Sequence, residues 1–326
     1  MLKLLRRNFL HLAAGAAALP TISRVVWAQT YPSRPVRIIV GVPPGGVVDI
    51  VARLIGQWLS ERLGQQFVIE NRPGAGTNIA TEAVVRAPAD GYTLLLVTAI
   101  NAINTTFYEK LNFSFIRDIA PVAGIIVVPN VMLVNPSVPA KTVPEFIAYA
   151  KANPGKINIA SGPIGGPSHV TAELFKMMTG TDMLLVSYRG VAPAATDLLG
   201  GQVQVMFNSL PASIEYIKAG TLRALAVTSA TRSETLPGIP TMGEFLPGFE
   251  ASQWYGVGAP KNTPPQIIDK LNKEINAGLA DPKLKARLAD LGGTVLPGSP
   301  ADFGKHIAEE TEKWGKAIRA ANIKVE

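Results

Sequence analysis

The stretch Val36-Arg37-Ile38-Ile39-Val40-Gly41-Val42-Pro43-Pro44-Gly45-Gly46-Val47-Val48-Asp49-Ile50-Val51-Ala52-Arg53 decides how this chain is read. Its β-branched opening predicts a strand over Val36–Val40. Val47, Val51, Leu54, Ile55, Trp58, Leu59 and Leu63 then recur at helical spacing until Gly64, where the helix should stop. Between the two elements, Gly45 and Gly46 leave backbone N–H groups uncovered by side chains. Together with the partial positive charge of the helix start, such a turn can hold a carboxylate without any Lys or Arg. Asp49 falls in the first helical turn and has two readings: it complements the helix dipole, or it orients ligand or water.

Outward from this unit, short Val/Ile/Leu runs alternate with longer amphipathic stretches, the pattern of β/α units on a mainly parallel sheet. Strands are expected at 67–70 and Thr93–Thr98, with a helix over 78–86 between them and an Asn-rich loop from the end of the second strand through Asn104. A second group follows: strands at 131–134, 157–160, Leu184–Ser187, 203–207 and 222–228, and helices at 144–152, 168–178, 194–199 and 214–219. After a Pro/Gly-rich passage at 237–247 come Trp254-Tyr255-Gly256-Val257 and three helical stretches, which we expect to return to the first domain. Domain 1 is therefore expected over 29–127 plus 251–326, and domain 2 over 128–250. No internal repeat is visible in the sequence.

The length of 326 residues suits two domains of roughly 150 residues each. Apolar residues at 47% and charged residues at 17%, with a mean hydropathy of +0.22, exclude a disordered chain and a polytopic membrane protein. The absence of Cys removes disulfides, thiolate metal sites and a cysteine nucleophile. Arg6 and Arg7 before Phe9-Leu10, a short Gly/Ala-rich apolar run, Pro20 and the small-residue end at Ala28 read as an export signal of twin-arginine type over residues 1–28. That segment carries four bases, Lys3, Arg6, Arg7 and Arg24, and no acid, so its removal lowers the net charge from +7 to +3. A case for nucleic acid then disappears.

Two further Gly/Pro loops precede helices: Ser161-Gly162-Pro163-Ile164-Gly165-Gly166-Pro167-Ser168-His169 and Tyr188-Arg189-Gly190-Val191-Ala192-Pro193. Three such loops in two domains suggest a site in a cleft between them. Rival motifs fail. Gly74-Ala75-Gly76-Thr77-Asn78-Ile79-Ala80 matches a dinucleotide fingerprint, but it is not the first β/α turn and lacks the acid that should follow, so no cofactor is expected. Ser168 and His169 are helical neighbours pointing about 100° apart and cannot form a nucleophile and base pair. His169 reads as a hydrogen-bonding group at a helix start. His306, beside Lys305, Glu309 and Glu310, reads as a solvated helix face, and no ligand cluster supports a metal. Trp58 and Trp314 read as packing residues; for Trp254 a ligand contact stays open.

Pro43-Pro44-Gly45-Gly46 with Asp49 and Ala52-Arg53, Glu70-Asn71-Arg72-Pro73-Gly74-Ala75-Gly76, Asp90-Gly91-Tyr92-Thr93 and Ala150-Lys151-Ala152-Asn153-Pro154-Gly155-Lys156 resemble blocks of the tripartite tricarboxylate transporter substrate-binding proteins, the Bug or TctC-like family. The resemblance continues through Tyr188-Arg189-Gly190, Asp197-Leu198-Leu199-Gly200-Gly201, Leu222-Arg223-Ala224-Leu225-Ala226-Val227-Thr228 and Ala259-Pro260-Lys261-Asn262-Thr263-Pro264. It implies an α/β, two-domain type II periplasmic binding protein of the "Venus flytrap" kind. Such a protein is monomeric and not an enzyme, and captures a small carboxylate for a membrane permease of the tripartite tricarboxylate type. A periplasmic sensor presenting its loaded form to a receptor kinase is the alternative.

Carried onto this chain, the family's site implies Pro43, Gly45, Gly46 and Asp49 with Thr98 and Asn101 on the first wall, and Ser161, Gly165, Gly166, Ser168, His169, Tyr188 and Asn208 on the second. The chain departs from the family at Val48, where Asn, Ser or Thr is frequent, and at Gly166, where Ser or Thr is. It departs again at Gly162-Pro163, where Ser-Gly is usual, at Val191, where Gly or Ser is common, and at Asn208, where Asp is common. Each polar-to-apolar change removes a hydrogen bond whose loss costs a buried polar group about 1 to 3 kcal/mol. A ligand less polar than citrate or malate is expected.

Overall fold

The computed structural model describes residues 31–108 and 110–323, so the export signal read over 1–28 lies outside the described residues. From Arg34 onward the described chain is one compact unit built on two sheets. It runs β1 (Val36–Val40), α1 (Val47–Leu63), β2 (Phe67–Asn71), α2 (Asn78–Val85), β3 (Thr93–Thr98), α3 (Ala99–Phe107), α4 (Phe115–Asp118) and β4 (Ile119–Val128). There follow β5 (Asn130–Val134), α5 (Val143–Ala152), β6 (Asn158–Ser161), α6 (Pro167–Thr179), β7 (Leu184–Ser187), α7 (Val191–Leu199), β8 (Val205–Ser209), α8 (Leu210–Lys218) and β9 (Arg223–Val227). The chain ends with β10 (Gln253–Pro260), α9 (Pro265–Ala280), α10 (Pro282–Asp290), β11 (Thr294–Val295) and α11 (Pro300–Ala320).

The first sheet has the order β2-β1-β3-β10-β4-β11 and the second β7-β6-β8-β5-β9. β1 lies between two parallel neighbours, β2 and β3, and β6 likewise lies between β7 and β8. The next place is taken by a strand that has just crossed from the other sheet, and that strand is antiparallel to both neighbours. β5 follows β4 with only Pro129 between them, and β10 returns through Ala251 and Ser252. The sheets are therefore mixed rather than mainly parallel, because each includes a strand exchanged from the other half that runs antiparallel to both neighbours. The two halves repeat one topology, which the sequence did not reveal.

Gly64 ends α1 as expected, in the left-handed conformation with φ 71° and its N–H bonded to the Ser60 carbonyl. Two elements differ from expectation. The Asn-rich segment after Thr98 is helix α3, because Asn101 and Asn104 bond inward instead of to solvent. β4 escapes the period-2 pattern because Pro121 and Gly124 interrupt it, where its pairing with β10 also shifts register.

Helix α11 ties the halves together. A capping box starts it: the Ser299 hydroxyl accepts from the Asp302 amide (3.1 Å), and the Asp302 carboxylate accepts from the Ser299 amide (2.9 Å). Phe303 and Ile307 then enter the core over the first sheet with Ile39, Val97 and Trp254, while Trp314 and Ile318 enter the core beside Phe175, Phe207 and Phe249. Between these two sets Glu310 is buried and accepts from the indole N–H of both Trp254 (2.9 Å) and Trp314 (3.0 Å), with Lys313 as its counter-ion. Trp254, open to a ligand role on sequence grounds, is thus a core residue. His306 packs edge-to-face on Trp254 with a buried Nε2, so this face of the helix is not solvated. Replacing Glu310 by Leu would leave two buried indole donors without an acceptor and should lower unfolding stability by about 2 to 5 kcal/mol. Urea denaturation should show this as a lower midpoint at unchanged slope.

Candidate functional site

The turn between β1 and α1 is held from inside. Gly45 has φ 96°, a conformation that favours glycine, and its N–H donates to Asp49 Oδ2 at 3.0 Å. The same carboxylate accepts from Arg53 Nε (2.9 Å) and Nη2 (3.0 Å) and from Asn71 Nδ2 (2.9 Å). Burial alone would raise the Asp49 pKa. The hydrogen bonds from Arg53, Gly45 and Asn71, with the Arg53 charge, outweigh it and bring the pKa down from 3.8 to about 2. Asp49 is therefore committed to the turn rather than to a ligand.

The turn between β6 and α6 repeats this arrangement. Gly165 has φ 75° and donates its N–H to His169 Nδ1 at 2.9 Å, again to the residue four positions on. Burial pushes His169 below its usual pKa, against Glu173 and with Lys176, which keeps Nδ1 an acceptor at neutral pH. Ser168 accepts from the Gly162 amide at 2.9 Å. Pro43-Pro44-Gly45-Gly46 and Pro163-Ile164-Gly165-Gly166 are thus one device used twice. At the two helix starts Gly46 and Gly166 occupy the N-cap with no side-chain cap; because Pro167 has no N–H and the Gly166 amide donates to the Pro163 carbonyl at 2.9 Å, the first free amide of α6 is that of Ser168. A Cβ added at Gly46 would meet nothing within 4 Å, whereas one at Gly165 would fall 2.2 Å from the Phe107 ring.

Both helix starts contribute to one cavity of about 280 Å³. Val47 and Val48 of α1 and Ile100 of α3 line it from the first half, and Gly166, Pro167 and Ser168 of α6 with Val191 of α7 line it from the second. Phe207, Asn208 and Ser209 at the end of β8, and Asn130, Gln253 and Tyr255 at the crossovers, complete the wall. Tyr255 donates to Gln253 (2.8 Å), and Gln253 donates to Asn130 (3.1 Å). No charged side chain lines this cavity.

Of the residues expected at the site, Gly166, Ser168 and Asn208 reach the cavity wall. Pro43, Gly45 and Gly46 form the exposed turn that leads into Val47 and Val48, and Gly165 is packed on Phe107 behind the second turn. Thr98 and Asn101 are buried and spent on each other and on α2: Asn101 accepts from the Thr98 amide (2.8 Å) and donates to Thr77 (3.2 Å) and Thr81 (2.8 Å). Ile100, between them, lines the wall instead. Ser161 is buried with its hydroxyl on the Gly162 carbonyl (3.0 Å). Tyr188 donates to Asp197 at 2.6 Å, and burial followed by that carboxylate pushes its pKa up to about 12. The sequence offered no sign of Asn130, Gln253 or Tyr255, which become neighbours only where the crossover strands pair with each half.

Residues 51–323 match the tripartite tricarboxylate transporter family receptor, TctC. The chain belongs to this family. It is 38% identical to Protein BugT of Bordetella pertussis over 307 residues, 93% of this chain and 94% of that one. Among solved structures, an R. palustris protein with adipate is 38% identical with a TM-score of 0.79, over 90% of this chain and 99% of that one. MatC from Rhodopseudomonas palustris with bound malate is 30% identical with a TM-score of 0.75, over 88% and 100% of the two chains. This receptor is a solute-binding protein and not an enzyme.

The lowered Asp49 pKa makes the first turn acid-sensitive. A carboxyl whose folded pKa lies below its unfolded value stabilises the fold above the unfolded pKa and loses that stability as pH falls through the folded one. Asp49→Asn should cost roughly 2 kcal/mol at pH 5 to 7, and its deficit against the native protein should shrink between pH 3.8 and about 2. Denaturation midpoints measured at several pH values check this.

Proposed function

We propose that the protein captures a small carboxylate in the periplasm and delivers it to a membrane permease of the tripartite tricarboxylate type. The reading rests on one observation: a cavity that receives two uncapped Gly-Gly helix starts, one from each half, with no charged side chain in its wall. A carboxylate satisfies amides there and is favoured by both helix dipoles. Relatives solved with adipate and with malate support the ligand class. Val47, Val48, Ile100, Val191 and Phe207 favour a ligand body of CH2 groups or an aromatic ring over one studded with hydroxyls and further carboxylates.

In this reading residues 29–127 with 251–326 form one lobe and 128–250 the other. The ligand docks on the Gly45-Gly46 turn, and rotation of the second lobe brings the Gly165-Gly166 turn onto it, excludes water and strengthens each hydrogen bond. Residues 1–28 direct export and are removed near Ala28, and the monomer is the working unit. The Gly45, Gly165, Asp49 and His169 set fixes the turns, while Gly46, Gly166, Ser168 and Asn208 meet the ligand.

Thermal unfolding against a panel of acids, amino acids, sugars and nucleotides tests the reading, using protein stripped of bound solute by denaturation and refolding. An acid at 100 times its dissociation constant adds about 2.7 kcal/mol. Adipate-like or aromatic acids should shift the midpoint more than citrate; a response to nucleotides alone, or to nothing, sinks the assignment. Gly46→Asp, which fits sterically but sets a negative charge at the helix start, should abolish the shift while the unliganded midpoint stays within a few degrees.

A further inference from the structure

Asn208 stands in the wall of the cavity between the two helix starts with half of its amide unused. It lies in β8, is 4% exposed, and accepts from the Ser209 amide through Oδ1 at 2.8 Å. A backbone N–H must meet an oxygen, so this bond fixes the orientation of the side chain and turns Nδ2, with its two hydrogens, away from Ser209. Nδ2 donates to nothing among the described residues. Unlike Asn78 Nδ2, it is not sealed within the protein either, so it opens on the cavity that Asn208 lines.

The other two side-chain amides of the wall each donate within the protein, Gln253 to Asn130 (3.1 Å) and Asn130 to the Ala251 carbonyl (2.9 Å), and the Tyr255 hydroxyl donates to Gln253 (2.8 Å). Asn208 also stands apart from both helix starts. Its strand pairs with β6, which feeds α6, and paired strands lie about 4.8 Å apart. A ligand whose carboxylate sits on the amides of Val47, Val48 and Ser168 therefore brings atoms a few bonds further along to Asn208. A carbonyl oxygen at that point takes the Nδ2 hydrogens, whereas a CH2 group leaves them buried without a partner. No acid lines the cavity, so an ammonium there loses its water and gains no counter-charge.

We propose that Asn208 is a specificity-determining residue of this site: it selects acids with a carbonyl oxygen a few carbons from the bound carboxylate and rejects acids with an ammonium in that place. The inference rests on the carboxylate reading above and adds to it the chemistry of the rest of the ligand.

Isothermal titration of the purified protein, freed of bound solute, with 5-oxohexanoate, hexanoate and 5-aminohexanoate tests it, together with the homologues one carbon shorter and longer. In the native protein the best oxo acid should bind about tenfold tighter than the plain acid of its length, and the amino acid more weakly than either. Asn208→Asp keeps an oxygen for the Ser209 amide and replaces the donor by a carboxylate oxygen, so the oxo acid should weaken about tenfold or more and the amino acid should become the tightest of the three. Asn208→Ala removes the donor without adding charge and should bring oxo and plain acids level. Plain acids that bind as tightly as oxo acids at every length overturn the inference and leave the carboxylate reading standing. An unchanged ranking in Asn208→Asp or a retained oxo preference in Asn208→Ala, with the unliganded midpoint within a few degrees of native, overturns the assignment to Asn208. Failure of every acid to bind removes the carboxylate reading, and this inference with it.

Discussion

A helix start without a side-chain cap leaves its first amides to whatever faces them, and the turn before it must then be fixed by other means. Here the fixing bond is the same in both halves: the glycine N–H that precedes the N-cap donates to a side chain one helical turn ahead, Asp49 for Gly45 and His169 for Gly165. Everything else at the candidate site depends on this. A side chain that capped Gly46 or Gly166 would satisfy the fold and occupy the place of the ligand. A group inside the helix, bonding backward to the turn, satisfies the turn and leaves the front of the helix open.

The two acceptors are not equivalent. Asp49 is an anion whose charge is met by Arg53, itself half exposed on the next turn of α1, so the first turn is braced by a bidentate pair as well as by Asn71 from β2. His169 is uncharged, buried and packed behind Gly165 and Phe107, with no anion added beneath the second helix start. The negative charge of Asp49 would oppose the carboxylate proposed above, but Arg53 meets that charge at 2.9 Å, and the helix dipole of α1 is left to act. The second turn reaches the same end without charge. The pairing of sheets follows a comparable economy: each sheet receives its antiparallel strand from the other half, so the crossovers are structural members of both.

Periodicity served well where an element is amphipathic and bounded by glycine. Val36–Val40, the helix that ends at Gly64, and the strands Thr93–Thr98 and Leu184–Ser187 were all legible from apolar spacing. It failed at β4, which Pro121 and Gly124 break up, and at α3, whose inward-facing asparagines imitate a loop until Thr77, Asn78 and Thr81 are seen to receive them. The site was legible to a similar depth. The two Gly-Gly turns could be found because glycine there answers a backbone requirement, but the division of labour around them could not. Thr98, Asn101, Ser161 and Tyr188 carry polar groups in the right loops, yet spend them on protein partners. The wall is supplied by Ile100, Gln253 and Tyr255, whose positions depend on long-range strand pairing.

If the proposed carboxylate occupies this cavity, the lack of Arg or Lys in its wall also has a kinetic meaning. A guanidinium binds a carboxylate strongly through charge-assisted pairs even where water has access. Backbone amides at a helix start hold it weakly in water and far more strongly once the surroundings are dry, because the same dipoles act through a lower dielectric. Affinity in such a site is set chiefly by whether the two halves are together, and only slightly by either half alone. A receptor that must hold its solute in dilute solution and release it when opened is better served by this dependence than by a fixed charge. The crossover strands are braced where the two halves meet: Asn130, Thr228, Ala251 and Gln253 bond to one another there, so the join between the halves is built from side chains and backbone of both.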